Sequence, residues 1–571
     1  MAGVRTRLST LAPALALAFA LALTGSPAAA AGDPAHEPPF GPEPPPTLTP
    51  VGAAERPPPG FMLTRAEVVA IAAGTATVRD ERAESPAMVP RVATRSDGRW
   101  QVDYDDGEGV AVAQVVIDDP SGAVVEAWRN QQVEVKLARG YEDAVAGNVS
   151  EVWIWIPLCV LFVLPFFDPR RPFRLLHLDL LVLLSFSISL FFFNKGEIVT
   201  SVPLVYPALG YLFVRMLIAG LRPRARPGPL LPWLGARWLL VAGAALLIFR
   251  IVLNIADSQV IDIGFANVVG ADRIADGLGV YDGQFTPLID RGDSYGPLSY
   301  ISYVPFELVF PWHGGLESLP AAHAAAIVFD LAIVALLFTV GRRLRDGREG
   351  RDLGIALAFA WLAYPFTLYA LNANGGNDAL VAALLLAALL TFASPLGRGL
   401  GIALAAAVKF GPLGLAPLFA AGPGERRLRS TLIFAAVLVA VWAAVLLPLL
   451  PDGGFRELYD RTFGYQASRG SPFSVWGLEP SLGWLQDAAR VLPVVLGAAL
   501  FFIPRRRTAL QAAALGAAVL IATQVGSTHW FYFFLLWWVP YVLVNAFATQ
   551  ERITADFRPD VDPPAARSSL P

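Results

Sequence analysis

Cysteine, histidine and charge are all scarce in this chain of 571 residues. The single cysteine, Cys159, excludes an internal disulfide framework and a thiolate metal site. Five histidines (His36, His177, His313, His323 and His529) are scattered without ligand-like spacing, so a protein-built zinc site is not expected. Charged residues make up only 16% of the chain and hydrophobic ones 55%, with a mean hydropathy of +0.51. Average soluble domains carry roughly a quarter charged residues, so the composition is that of an integral membrane protein. A net charge of −3 gives no reason to expect a nucleic-acid partner. The phosphate-cradling pattern GxxxxGK(S/T) is also absent, and nothing else resembles a nucleotide pocket.

What is present starts with an N-terminus built for export. Met1-Ala-Gly-Val-Arg-Thr-Arg is followed by an apolar run from Leu11 to Leu23 and the small residues Ser26 to Ala31. This is the pattern of a signal peptide over residues 1–31, with an uncleaved anchor as the alternative. Residues 32–60 are proline-rich and are expected to form an extended, disordered linker. Residues 61–150 then read as a small exported α+β domain. Thr64-Arg-Ala-Glu67 is a capping box opening a helix through Ala73. Period-two stretches at Arg99–Tyr104, Val110–Ile117 and Ala123–Trp128 flank a turn at Asp118–Gly122.

From Glu151 onward, apolar runs alternate with short charged loops. Eleven spans are expected: 152–167, 175–193, 202–221, 238–255, 320–340, 353–370, 379–392, 431–450, 488–502, 508–524 and 530–546. Arginine-rich loops follow alternate spans (Arg170-Arg171 with Arg174, Arg222–Arg226, Arg342–Arg351, Arg505–Arg507), and the positive-inside rule assigns them to the cytoplasm. The stretch 298–312 is too short to cross and reads as an interfacial or re-entrant helix. Residues 400–419 have arginine on both sides and Gly411-Pro412 at their centre, which suggests two half-helices returning to one face. On this topology the loop 256–297, about forty residues where connections are usually about five, is exported. The tip 372–378, the loop 451–487 and the tip 526–529 share its side.

Five pieces of this region carry a resemblance: Val260-Ile-Asp262 with Gly277–Tyr281, Ser294-Tyr-Gly-Pro-Leu298, Asn374-Gly-Gly-Asn-Asp378, Ala405-Ala-Ala-Val-Lys409, and Arg469-Gly-Ser-Pro-Phe-Ser-Val-Trp476. Their order resembles glycosyltransferase family 87 of the GT-C membrane glycosyltransferases. The likeness implies a GT-C-like core over residues 238–550; the three additional membrane helices expected in 151–237 and a disordered cytoplasmic tail, 551–571, fall outside it. The N-terminal domain resembles a PepSY domain in its order of helix, Trp-x-Val strand and strand–Asp-x-x-x-Gly–strand. The family likeness implies a multi-pass plasma-membrane enzyme. It would transfer a sugar, often mannose, from a polyprenyl-phosphate donor to a cell-envelope glycan or glycolipid on the extracytoplasmic face, with inversion. Its partners are then the lipid-linked sugar phosphate, that acceptor and membrane lipid; no cofactor is certain and a divalent cation is an open option.

Asp262 is the candidate general base, standing where the family carries its catalytic aspartate; the plain alternative is an N-cap. Asp257 is the runner-up. Asp293 is expected to organise the Tyr295-Gly-Pro turn or, secondarily, to hold the acceptor or a divalent ion with Asp262. Donor phosphate or sugar contacts are expected from Arg469, Arg461, His529 and Arg250, the last reaching outward from the end of its span, and from Tyr295 and Asn377 within the motifs. Lys409 and Asp330 lie in apolar segments and are expected to pair with each other. Two other classes compete: a transporter or flippase of lipid-linked sugars, which the lack of an internal repeat disfavours, and a non-catalytic envelope sensor anchored by the bundle.

Overall fold

In the computed structural model, the described residues run from 48 to 554, apart from 53–55, 97, 106–110, 130–146, 195–197, 259, 283–284, 286–291, 315–318, 425–426, 469–470 and 472. The signal-peptide reading lies outside them.

The N-terminal domain packs α1 (Arg65–Ala73) and α2 (Ala76–Glu84) on an antiparallel sheet in sequential order: β1 (Leu48–Pro50), β2 (Val89–Arg95), β3 (Arg99–Asp105), β4 (Ala111–Asp118) and β5 (Val124–Arg129). Thr64 and Glu67 form the expected capping box. Gly122 adopts a left-handed φ of 64°, closing the β4–β5 turn. Alternation along β3 and β4 sends Trp100, Val102, Tyr104, Val115 and Ile117 into one core with Val68 and Ala72 of α1. Beneath it Asp119 accepts from the backbone N–H groups of Met62 (2.7 Å) and Leu63 (3.0 Å) and from Trp100 Nε1 (2.7 Å). Two differences from the sequence reading stand out. The linker is not disordered throughout, because Leu48–Pro50 pairs with β2 as an edge strand. Strand β2 itself carries two arginines and a proline that hid its alternation.

The rest is mainly helical. The helices are α3 (Val152–Val163), α4 (Leu175–Asn194), α5 (Val205–Leu221), α6 (Ala236–Ala256), α7 (Asp262–Ala275), α8 (Pro297–Ile301), α9 (Pro320–Leu344), α10 (Gly347–Ala363), α11 (Pro365–Asn372), α12 (Gly376–Leu390), α13 (Pro395–Val408), α14 (Arg427–Leu446), α15 (Gly483–Phe502), α16 (Ala509–Val525) and α17 (Leu535–Ala548), with shorter turns between. All eleven expected runs are helical. Among the described residues six helices are long and apolar enough to cross a membrane, or seven if the bent pair α10–α11 counts as one. The other four are apolar helices of at most 17 residues, so the length criterion supports six or seven spans and not eleven.

Residues 298–312 form no span, only α8 and a further turn at Val304–Glu307. The segment 395–421 breaks at Lys409, whose backbone is extended (φ −142°, ψ 138°), and resumes through Gly411–Leu415 and Ala416–Ala421. Its ends meet. Arg398 near its start is fully buried and donates to Phe419 O (2.5 Å) and Phe392 O (3.0 Å), with Ser430 Oγ as a further partner. The chain therefore folds back on itself, as a hairpin of half-helices does. The C-terminal tail is ordered at its start, where β7 (Gln550–Thr554) pairs in parallel with β6 (Arg226–Leu231).

Candidate functional site

A chain of contacts gathers the polar loops at one end of the bundle. The start of α7 rests on the turn between α11 and α12. Ile261 N–H donates to Ala373 O at 3.2 Å, and a side chain at Gly264 would stand 2.6 Å from Asn374 O. Asn374 makes that turn with a left-handed φ of 52°, a conformation asparagine tolerates better than most residues. Behind it lies a buried network. Asn254 donates to Leu371 O (2.8 Å) and Asn374 Oδ1 (2.7 Å), and its own oxygen lies 3.1 Å from His323 Nδ1.

Asp262 is the first residue of α7 and is exposed; the N-cap position belongs to Ile261, which makes no side-chain cap. The capping alternative for Asp262 is therefore not what the structure has. A helix's first turn is where a negative charge is best tolerated. Asp257 closes α6: its N–H donates to Leu253 O at 2.8 Å and its carbonyl accepts from Asn372 Nδ2 at 3.1 Å.

The Tyr295-Gly-Pro-Leu motif has a steric reason. Gly296 lies so close to the carbonyls of Ala407 and Val408 that any side chain would collide with them, and its N–H donates to Val408 O at 3.3 Å. Pro297 then starts α8, where a missing N–H costs nothing. Tyr300 and Tyr281 brace the turn: Tyr295 N–H donates to Tyr300 Oη (3.1 Å) and Tyr281 Oη donates to Tyr295 O (2.8 Å). Burial holds both phenols well above their ordinary pKa. Asp293, also buried, pairs with Arg461 at 2.8 Å. Arg461 holds Glu457 as well, at 2.8 Å, and that hydrogen bond, with one from Gly453 N–H, lowers the Glu457 pKa. With two carboxylates on one guanidinium, Arg461 clamps the Asp293 loop to the Glu457 helix. Asp293 correspondingly faces Arg461, and among the described residues no three His, Cys, Asp or Glu side chains gather as a metal site.

The gap in α13 places Lys409 in this same end. Its Nζ lies 2.7 Å from Asp378 Oδ1, which also accepts from Trp537 Nε1 at 2.7 Å, and it faces the rings of Phe534 (5.3 Å), Tyr295 (5.8 Å) and Trp537 (5.8 Å). The expected Lys409–Asp330 pair is thus replaced by two separate ones. Asp330, in mid-span of α9, is held by Arg250 through Nη2 (2.8 Å) and Nε (3.3 Å). Arg250 does not reach outward. It is fully buried and also bonds Thr367 Oγ1 (3.0 Å) and Leu362 O (3.3 Å), supplying donors to the backbone that the 59° bend before Pro365 leaves unpaired.

His529 stands one ring away from Lys409. Its Nδ1 is 2.9 Å from Ser471 Oγ, and its ring contacts Phe473 (5.3 Å) and Phe534 (6.4 Å), the latter shared with Lys409. Arg469 lies outside the described residues. Asn377 donates to Ser299 Oγ (3.2 Å), which donates to Asn267 Oδ1 (2.6 Å). Two buried acceptors here, Asn377 Oδ1 and Asp378 Oδ2, have no hydrogen-bond partner. The sequence reading passed over Asp378, Asn254 and Asn267. A lysine inside an apolar run demands a carboxylate, and Asp378, opening the neighbouring apolar run, was the available signal.

The model of a family described as glycosyltransferase family 87 matches residues 294–525. That segment contains the Tyr295 turn, the Asn374–Asp378 tip, Lys409, Arg461 and Ser471, and it leaves Asp262 and His529 outside. No curated protein and no solved structure matches the chain.

Proposed function

We propose, from a chain rich in apolar helices whose residues 294–525 match the model of glycosyltransferase family 87, that this protein moves a sugar from a polyprenyl-phosphate donor to a hydroxyl of a cell-envelope glycan or glycolipid. Mannose is the sugar we favour and the extracytoplasmic face the side. Asp262 takes the proton of the acceptor hydroxyl as its oxygen attacks the anomeric carbon. The bond from that carbon to the phosphate oxygen breaks, and the lipid phosphate departs with the electron pair. A single displacement of this kind inverts the anomeric centre.

The observation supporting this reading most directly is the position of Asp262. It is exposed in the first turn of α7, against the Asn374 turn, at the end of the bundle that also holds Lys409, His529 and Arg461. Asp257 remains the second candidate, with its backbone engaged at the end of α6. His529, set by Ser471, and Arg469 are the groups proposed to meet the donor phosphate. Arg250 has no place in that step, since its guanidinium is committed to Asp330 and the α10–α11 bend. Asp293 and Arg461 position the Tyr295 turn.

Membranes carrying Asp262→Asn, supplied with radiolabelled polyprenyl-phosphate mannose, are expected to transfer about 10²–10⁴-fold more slowly, the usual contribution of a positioned base, at unchanged protein level. Wild-type transfer by this variant would remove Asp262 from the mechanism. Lipid-linked sugar movement without any transfer would favour the flippase reading.

A further inference from the structure

We propose that the opposite, arginine-rich end of the bundle carries a binding site for one anionic phospholipid, with its phosphate at Arg343 and the start of its acyl chains in the cavity beneath. This goes beyond the transfer reaction and does not depend on it. A cavity of about 310 Å³ opens between the ends of α9 and α12 and the start of α16. Its walls are Val340, Leu389, Phe392 and Ala393, with Arg343 at the mouth and Arg507 at the back. Among the described residues no carboxylate lines it. The volume is at the small end of ligand pockets, which run from roughly 300 to 1,000 Å³, so it takes a headgroup and the first methylenes and not a whole lipid.

Three observations select this occupant. First, the depth is right. The apolar part of α9, Pro320–Val340, is about 30 Å long at 1.5 Å per residue, one hydrocarbon thickness, which sets Arg343 in the headgroup layer. Second, the rim is basic. Arg343 is exposed, and among the described residues its one hydrogen bond is a long one, to Leu390 O at 3.4 Å. Behind the wall, Arg507 donates to Leu500 O (2.6 Å) and Pro504 O (2.8 Å), and Arg398 to Phe392 O (3.0 Å), which places two further cations beside the cavity. Third, Thr508 opens α16 at the cavity, adding the positive end of a 17-residue helix. An apolar wall under a basic rim at headgroup depth suits a phospholipid better than a soluble anion, which has no use for the wall.

The test uses the purified full-length protein, delipidated and titrated with phosphatidylglycerol, phosphatidylcholine or inorganic phosphate, with bound ligand counted by native mass spectrometry. Phosphatidylglycerol is expected to occupy one site. Arg343→Gln should weaken it about five- to tenfold, the worth of one arginine at a membrane surface. Ala393→Trp, at an exposed lining position, should fill the cavity and abolish the bound lipid, while Arg348→Gln, an exposed arginine outside the cavity, should leave it bound. Equal retention by Arg343→Gln and wild type, or equal loss with Arg348→Gln, would overturn the site in favour of diffuse attraction. Saturable inorganic phosphate binding that Ala393→Trp leaves intact would replace the lipid with a soluble anion. Thermal unfolding of each variant without lipid separates lost binding from lost folding.

Discussion

The two ends of the helical bundle handle charge differently. At the arginine end, many guanidinium groups meet backbone carbonyls, beside the ion pairs of Asp179 with Arg215 and Arg226. Arg174 reaches Pro229 O (2.8 Å), Arg345 reaches Gln550 O (2.5 Å) and Ala548 O (3.2 Å), and Arg398 and Arg507 cap the ends of neighbouring helices. These contacts tie β6, β7 and the helix termini together. At the other end, side chains meet side chains: Asp378 with Lys409 and Trp537, Asp293 with Arg461, Asn377 with Ser299. Asn377 Oδ1 and Asp378 Oδ2 there stay buried and without a hydrogen-bond partner, as does Asn545 Oδ1 toward the arginine end. What separates the ends is therefore the kind of partner: carbonyl contacts tie chain segments together, and side-chain pairs join loops distant in sequence.

Substitutions can break this contrast. The largest effect is expected inside the polar end, from Asp378→Asn. It leaves Lys409 without its carboxylate partner, and breaking a buried pair on one side typically costs about 3–5 kcal/mol. A thermal-unfolding scan in detergent reads the loss, and Lys409→Met combined with Asp378→Asn should restore part of it. In the N-terminal domain, Asp119→Ala removes the acceptor of three hydrogen bonds and is expected to cost about 3 kcal/mol, since hydrogen bonds to a charged group contribute about 1.5–3 kcal/mol each and do not add fully. Loss of Trp100 fluorescence structure follows it. At the arginine end, Arg345→Gln should cost only about 1 kcal/mol, the net worth of ordinary hydrogen bonds, and should show as faster proteolysis near β7. A loss there as large as that of Asp378→Asn would erase the contrast.

The smallest expected effect is a pH dependence of the Arg461 clamp. Hydrogen bonding to Arg461 lowers the Glu457 carboxyl below its ordinary 4.5. A lowered carboxylate binds fewer protons when folded, so its stabilisation is complete above pH 4.5 and lost as pH falls through the folded value. The advantage of wild type over Glu457→Gln in unfolding temperature should therefore be the same at pH 7 and pH 5, and should disappear only below that range.

Much of this architecture was legible as pattern. The capping box at Thr64, the helical runs, the break near Gly411-Pro412 and the grouping of the Tyr295 turn with the Asn374 tip follow from local rules: hydrophobic period, proline geometry and turn chemistry. The pairings were less so. Lys409 and Asp330 look like natural partners along the chain because both are lone charges in apolar runs, yet each found another. The bend before Pro365 leaves carbonyls that Arg250 satisfies, drawing Arg250 and Asp330 together and away from the surface. The break in α13 swings Lys409 toward Asp378 instead.

By itself the sequence determined the apolar, membrane-type character of the chain and where its long helical runs fall, because each depends on residues close together along the chain. Only the tertiary structure decided which charges pair, which carboxylate stays exposed and how many helices are long enough to cross. Those outcomes depend on which helix lies against which, and in an apolar interior each buried charge takes whatever partner the packing brings within reach.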